Sequence, residues 1–349
     1  MSDILGIMTH RIGHPGSFTR HAKSALAEKF SGILVYTPKD VNLTTRRITG
    51  YVYKGGGTWN KRTLPFPKIN MDIGFYTGSQ GTRATLVKKV PAFPFTGYGI
   101  GNKIRIQKHL IASPVLRPYL LPTEQVKDPD GFIAFAKKYR SVMLKPINGW
   151  GGRDIVRVTL ENGQFKVQSN NELTQRLSAS GLRNFIRRAL RKERHLMQQW
   201  IDIRNKQGVI YDIRALMLKK SEDNWQTAGI AVREAKRGRI TSNLKSGGHA
   251  YEASAYLKKE FGDEKGEALA KSIRELAEYI PDFTEKSYKS RLCELGIDLA
   301  VDASGKLWLL EINIKPGKLI MRQLYGQKAW EQSLHTHFQY ARSLFPKTK

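Results

Sequence analysis

Three oxygen-bearing side chains, Asp298, Glu311 and Asn313, interrupt the stretch GIDLAVDASGKLWLLEINIKPG at residues 296–317, which otherwise reads as two apolar strands and a tight turn. A turn over Ala303, Ser304, Gly305 and Lys306, preceded by Asp302, sets Asp298 opposite Glu311. Side chains two apart on a strand share a face, so Glu311 and Asn313 point the same way and all three converge on one patch. Carboxylates that close repel unless a cation lies between them or one takes up a proton. A few hard oxygen donors, supplemented by phosphate oxygens, are what Mg²⁺ takes in nucleotide sites. The competing reading is a solvated face on which the same side chains meet water. The pairing also assumes a hairpin without a bulge, because a slip of one residue turns the set over.

Other residues suited to phosphate stand upstream. MLKPINGWGGRDIVRV puts Lys145 near the end of an apolar strand, with Gly149, Gly151 and Gly152 in the loop before the next strand. Glycines let backbone N–H groups approach phosphate oxygens, and the lysine adds a point charge. The residue order of a P-loop is absent and a strand, not a helix, follows. Lys103 and Lys108 lie on a helix that either reaches the same pocket or turns these side chains to solvent. In DIRALM, Arg214 sits among apolar neighbours, where an unpaired charge is expensive. Asp212 shares its face and is the expected structural partner. Arg233, Asn243 and the SGG run Ser246, Gly247 and Gly248 make a further polar, glycine-rich group, with His249 beside them read as structural. No HExxH, paired-cysteine or G-x-S-x-G pattern occurs, so zinc and serine-hydrolase chemistry have little support. Cys293 is the single cysteine, which excludes an internal disulfide, fits a reducing cytosol and reads as an inert core thiol.

The elements that must position these residues follow from periodicity. In 349 residues the hydrophobic fraction is 40%, an ordinary globular composition with room for two or three lobes. No run of about 18 apolar residues and no secretory leader is found, so a cytoplasmic chain without a transmembrane segment is expected. Residues 1–97 read as a mixed α/β unit: a strand at 4–8, a helix near 18–30, a strand at 32–38, then hairpin-like runs ITGYVYKGGGTWNKRTLPF and NMDIGFYTG. Prolines and glycines at 91–101 mark a boundary. Helices near 102–112 and 129–139, a hairpin of 141–147 with 154–160, and a basic helix at 181–198 make a unit over 98–197. Residues 198–349 add an antiparallel pair (209–220 with 225–235), a helix at 264–279, the acidic hairpin and a helix at 327–344. Strand pairs alternating with helices argue α+β lobes rather than one parallel sheet.

Charge is the unusual feature: 59 Lys and Arg against 30 Asp and Glu give a net charge of +29. Residues 1–100 alone carry fourteen basic and four acidic side chains, and residues 182–200 carry six Lys or Arg and one Glu. Such a field attracts nucleic acid, anionic membrane or an acidic polymer, or serves only solubility.

Taken in order, MLKPINGWGGRDI, QQWID, DIRALM, SNLKSGG and the D…E-x-N hairpin resemble the ATP-grasp superfamily, and specifically its YheC/YheD-like group associated with bacterial spore coats, over residues 98–345. The resemblance implies an ATP-grasp fold of two α+β lobes with ATP between them, preceded by the N-terminal α/β domain. It implies Lys145 on the nucleotide phosphates and Gly149, Gly151 and Gly152 in a flexible cover, and leaves open which of the candidates Lys103 and Lys108, if either, meets ATP. Gln199, Trp200 and Ile201 would line the adenine pocket, with Asp202 a candidate ribose contact. Asp298, Glu311 and Asn313 match the metal ligands. Arg214 matches a phosphate-facing arginine and Asn243 a residue near the acceptor, and with Lys145 and Arg233 they make the candidate catalytic set. Ser246, Gly247, Gly248 and Lys315 are the candidate substrate contacts. The activity implied is Mg²⁺- and ATP-dependent carboxylate–amine ligation through an acyl phosphate, and charge alone points the substrate toward an acidic peptide or other polyanion. The alternative is a non-catalytic, ATP-binding structural protein of the spore coat. A nonspecific nucleic-acid binder is the third class, without a recognised binding motif.

Overall fold

The computed structural model describes residues 3–148, 154–169, 174–236, 239–242 and 248–346. Strands Ile4–Met8 (β1) and Gly32–Tyr36 (β2) run parallel and are joined through helix Thr19–Ala27 (α1). Both strands are buried along their whole length, which is why they read as continuous apolar runs rather than as alternation. Val41–Asn42 (β3), Arg47–Tyr53 (β4) and Asn60–Pro65 (β5) extend the sheet antiparallel, and Asn70–Asp72 (β6) lies parallel to β1. NMDIGFYTG is therefore not a hairpin. The Asp72 carboxylate accepts the Gly74 N–H at 3.1 Å, the strand ends, and Gly78–Lys88 forms a helix (α2) that the sequence reading did not anticipate.

Helix Lys103–Ile111 (α3) starts where Asn102 accepts the Arg105 N–H, and leads through Thr123–Gln125 (β7) to helix Pro129–Tyr139 (α4). Asp128 caps α4 and Pro129 occupies its first turn, a strong local start signal. Ser141–Pro146 (β8), Val156–Glu161 (β9), Gln164–Ser169 (β10) and Thr174–Leu177 (β11) follow, then helix Ala179–Lys192 (α5) and strand His195–Gln199 (β12). The sheet order is β11-β10-β9-β8-β12-β7. The basic helix thus stops at Lys192, short of the expected 198. Leu196 and Met197 belong to β12, which pairs antiparallel with β8 in the middle of the sheet, so tertiary pairing overrides the helical spacing of the apolar residues.

The third sheet runs β15-β14-β13-β16-β17. Its strands are Tyr211–Ser221 (β13), Asn224–Glu234 (β14), His249–Glu252 (β15), Glu294–Val301 (β16) and Leu307–Asn313 (β17). Helices Ala253–Phe261 (α6) and Asp263–Tyr288 (α7) supply Leu257, Leu269, Ile273 and Ile280 to one face. Ile320 and Met321 of helix Leu319–Ser343 (α8), which kinks at Gly326, cover Leu216 and Leu218 on the other face. Further along, α8 leaves this sheet. Phe338, Ala341 and the following Phe345 pack with Leu5, Ile7, Ile33 and Val35 in the core of the N-terminal sheet.

Candidate active site

The acidic hairpin brings its three side chains together, but by two departures that cancel. Asp302 N–H donates to the Lys306 carbonyl and Val301 pairs with Leu307, so the turn is centred on Ser304 rather than between Ser304 and Gly305. A bulge that leaves Leu310 as the extra residue then shifts the register back, and Asp298 faces Glu311 while Gly296 faces Asn313. Asp302 organises the turn by accepting from Ser304 and Lys306 N–H groups, and takes the Trp308 indole N–H at 2.8 Å.

On the other side of β16, Arg214 of β13 is registered directly against Asp298. Its Nε donates to Asp298 Oδ1 and its Nη2 to Asp298 Oδ2 at 2.9 Å, a bidentate fork. The expected partner was Asp212. Cross-strand register decides otherwise: Asp212 lies opposite Arg233 on β14, which holds it at 2.6 and 2.5 Å and also reaches Asp298 Oδ1 at 2.9 Å. Asp212, Arg214, Arg233 and Asp298 thus form one buried network of two anions and two cations. Burial raises the Asp212 carboxyl, with Arg233 opposing. Burial also pushes Asp298 upward, but Arg214 and Arg233 outweigh it and hold that carboxyl below its usual range. Asn313 donates its Nδ2 to Asp298 Oδ2 at 3.3 Å, and Glu311 accepts Lys103 Nζ at 2.6 Å.

These groups line a cleft of about 500 Å³ between the second and third sheets, with the loops after β1 and β6 contributing His10 and Phe75 to its wall. Met143 and Lys145 of β8, Gln198 and Gln199 of β12, and Trp200 and Ile201 beyond it line the same space. Lys145 Nζ donates to Gln198 Oε1 at 2.5 Å, and Gln198 in turn donates to Thr123 Oγ1 at 3.0 Å. Burial lowers the Lys145 ammonium to about 8, with Glu311 and Asp298 opposing and Lys103 adding to the shift. Arg157 stacks 3.4 Å from the Trp200 ring centroid and donates to Ser141 Oγ, which fixes the indole at the cleft wall.

Not every candidate reaches the cleft. Lys108 is exposed and absent from its lining. It stands five residues, about 140° around the helix, from Lys103, which does face the cleft. Asp202 also lies outside the lining and pairs with Arg204 in its own loop. Lys315 lines the cleft, yet its ammonium is held by Asp72 at 2.9 Å and the Gly74 carbonyl at 2.6 Å. Gly248 is buried beside β15. Gly149, Gly151, Gly152, Asn243, Ser246 and Gly247 lie outside the described residues. Sequence reasoning missed Gln198 and Thr123, the partners of Lys145, because the meeting depends on how β12 and β7 align with β8. It missed His10 and Phe75 because nothing local in the first hundred residues shows which loop turns toward another sheet.

The donor chemistry suits a magnesium–nucleotide pair. Two carboxylates and an amide are hard oxygen donors on one face, and Asn313 spends its Nδ2 on Asp298, leaving Oδ1 as a ligand atom. Among the described residues, no group of three or more His, Cys, Asp and Glu is placed to hold a metal alone. The phosphates would have to complete the coordination.

The family described as YheC/D like ATP-grasp matches residues 92–344. The chain belongs to the YheC/D-like ATP-grasp family. Endospore coat-associated protein YheC of Bacillus subtilis (strain 168) is 25% identical over 335 residues, covering 93% of this chain and 92% of that protein. Endospore coat-associated protein YheD of the same strain is 26% identical over 302 residues, covering 82% of this chain, and the chain spans 64% of YheD. Among solved structures, D-alanyl-alanine synthetase A from Vibrio cholerae O1 biovar eltor str. N16961 superposes with a TM-score of 0.57 at 11% identity, over 95% of this chain and 98% of that one. At that identity the likeness is one of fold. The fold is the α+β ATP-grasp fold, and the cleft of this YheC/D-like chain lies between its two ATP-grasp sheets.

Proposed function

We propose that this chain is an ATP-dependent carboxylate–amine ligase that forms an amide through an acyl phosphate. The observation that carries the reading is the convergence of Asp298, Glu311 and Asn313 with Arg214, Lys103 and Lys145 on one cleft in an ATP-grasp chain. Lys145 and Lys103 would bind and orient the triphosphate, acting through position. Gln199, Trp200 and Ile201 would enclose the base. A substrate carboxylate oxygen attacks the γ-phosphorus and ADP leaves. An amine then attacks the acyl carbon, loses a proton, and expels phosphate. Arg214 and Arg233 would stabilise the negative charge that builds on the phosphoryl oxygens and on the tetrahedral oxyanion. Asp298, Glu311 and Asn313 would hold Mg²⁺, which supplies charge neutralisation at the phosphates when bound. The net charge of +29 supports an acidic peptide or similar polyanion as substrate, delivered by the outer surface.

Incubation with Mg-ATP and a panel of carboxylates and amines, followed for ADP and for new amide mass, tests the reading. Activity that Glu311→Gln removes supports it. ATP binding without turnover across a broad panel, unchanged in Glu311→Gln, counts against it.

A second reading, a nucleotide-binding structural protein of the spore coat, is favoured by one observation. Both carboxylates of the metal set are already engaged by protein cations, Asp298 by two arginines and Glu311 by Lys103. The relatives' names, endospore coat-associated proteins, point the same way. ATP that raises the melting temperature without being consumed would favour this reading.

A further inference from the structure

The cleft has a wall that the nucleotide reading does not use. Phe75, 58% exposed, lines it from the loop after β6, and Leu319, 40% exposed, lines it from the start of α8; Pro316 and Ile320 also line it. Large apolar side chains exposed singly on a surface are ordinary. Two lining one cleft from separate elements mark a recognition wall.

The Phe75 backbone is clamped on both sides. Its N–H donates to His10 Nδ1 at 3.4 Å, and the preceding Gly74 carbonyl accepts Lys315 Nζ at 2.6 Å. Lys315 is itself anchored by Asp72, whose side chain is 6% exposed and also binds Lys88 at 2.8 Å and the Tyr76 hydroxyl at 2.9 Å. The ring is thus presented to the cleft on a fixed loop, which removes much of the ordering cost of binding.

The charge here differs from that of the whole chain. Lys315 is paired with Asp72, Lys318 with Glu294 at 2.6 Å and Lys103 with Glu311. This wall therefore offers apolar area, and the lysines nearest it, Lys315, Lys318 and Lys103, are each engaged by a carboxylate of the protein.

We propose that this wall binds the large apolar side chain, aromatic or leucine-like, of the amino acid or peptide residue presented to the reaction. Phe75 and Leu319 determine that specificity, and Lys315 is a positioning residue that holds the Phe75 loop. The inference rests on the ligase reading and deepens it: polyanionic character further along a substrate is compatible with it, but an acidic side chain at this subsite is not.

The test uses the full chain with Mg²⁺ and a non-hydrolysable ATP analogue, titrated calorimetrically with L-phenylalanine, L-leucine, L-alanine, L-glutamate and the dipeptides Ala-Phe, Ala-Ala and Ala-Glu. Amide mass is followed in parallel with Mg-ATP. The apolar ligands bind about ten- to a hundredfold tighter than their alanine or glutamate counterparts. Phe75→Ala and Leu319→Ala abolish the preference and leave affinity for the ATP analogue within twofold. Leu86→Ala, an exposed leucine on α2 outside the cleft, keeps it. Lys315→Met weakens the preference and Lys315→Arg restores it. Equal affinities across the panel, tighter glutamate, or a preference that survives both alanine variants overturns the inference. An apolar preference with no amide formed upholds this wall and counts against the ligase, whereas amide formation without the preference does the reverse.

Discussion

Arg214 and Asp298 are registered cross-strand neighbours joined by a bidentate ion pair, so a candidate metal ligand and the candidate phosphate-binding arginine neutralise each other. A cation approaching Asp298 must displace an arginine, and a triphosphate that draws Arg214 away frees the carboxylate. Metal and nucleotide binding are therefore expected to be coupled. Titration with Mn²⁺ as probe should give binding at least tenfold tighter with a non-hydrolysable ATP analogue than without it. Equal affinities in the two titrations would show that the pair does not gate the site.

The two carboxylates should respond differently to substitution. Asp298→Ala strands Arg214 in a buried setting while Arg233 keeps Asp212, a loss of about 3–5 kcal/mol of stability for breaking such a pair. Glu311 pairs with a partly exposed Lys103, so Glu311→Gln should cost less than about 1 kcal/mol while lowering ligase turnover by about a hundredfold or more. Chemical denaturation alongside ADP release separates the effects, and makes Glu311→Gln the cleaner probe of chemistry.

Gly296 packs where a methyl group has no room. A Cβ there would lie 2.5 Å from Pro316 Cβ and 3.2 Å from Arg214 Nη1. Gly296→Ala should move the Pro316 loop or the arginine, lowering stability by about 1–3 kcal/mol and weakening ATP-analogue affinity. Retention of wild-type melting and affinity would mean that the loop relaxes freely.

Stability should fall on mild acidification because of a polar cluster beneath α8. Burial lowers His21 to about 4, with Lys318, His337 and Arg20 adding to the effect, and burial and Lys318 lower His337 against the opposing Glu294. Below about pH 6.5 the unfolded chain takes up protons that the folded chain refuses, so stability declines by about 1.4 kcal/mol per pH unit for each such histidine. Burial pushes Glu294 up, but Lys318 and His337 outweigh it and hold it at about 2. Its contribution is complete above about pH 4.5 and is lost from there toward pH 2. Urea melts from pH 8 to 4 should show the decline beginning near 6.5, with a shallower slope in His21→Leu. A flat profile over that range would contradict the cluster's role.

Local signals carried much of this architecture. Asp128 followed by Pro129 marks the start of α4, and the Val/Ile/Leu runs of β1, β2 and β8 announce buried strands. The facing of Asp298 and Glu311 was legible only because the shorter turn and the bulge at Leu310 compensate, a cancellation that periodicity does not encode. What stayed hidden is nonlocal. The partner of Arg214 follows from β16 lying beside β13, and the reach of Lys145 to Gln198 from β12 lying beside β8. The basic segment read as helix up to 198 because Leu196 continues the apolar spacing, although sheet pairing claims it. The role of Lys315 depends on Asp72, more than two hundred residues earlier.

The packing of Phe338, Ala341 and Phe345 into the first sheet carries a consequence for biosynthesis. As the nascent chain leaves the ribosome, β1 and β2 emerge long before the side chains that seal them. At about 5–20 residues per second, roughly 15 to 60 seconds separate the two events. Throughout that interval Leu5, Ile7 and Ile33 lack their final cover, and a chain stalled before α8 would present them to chaperones or to its neighbours.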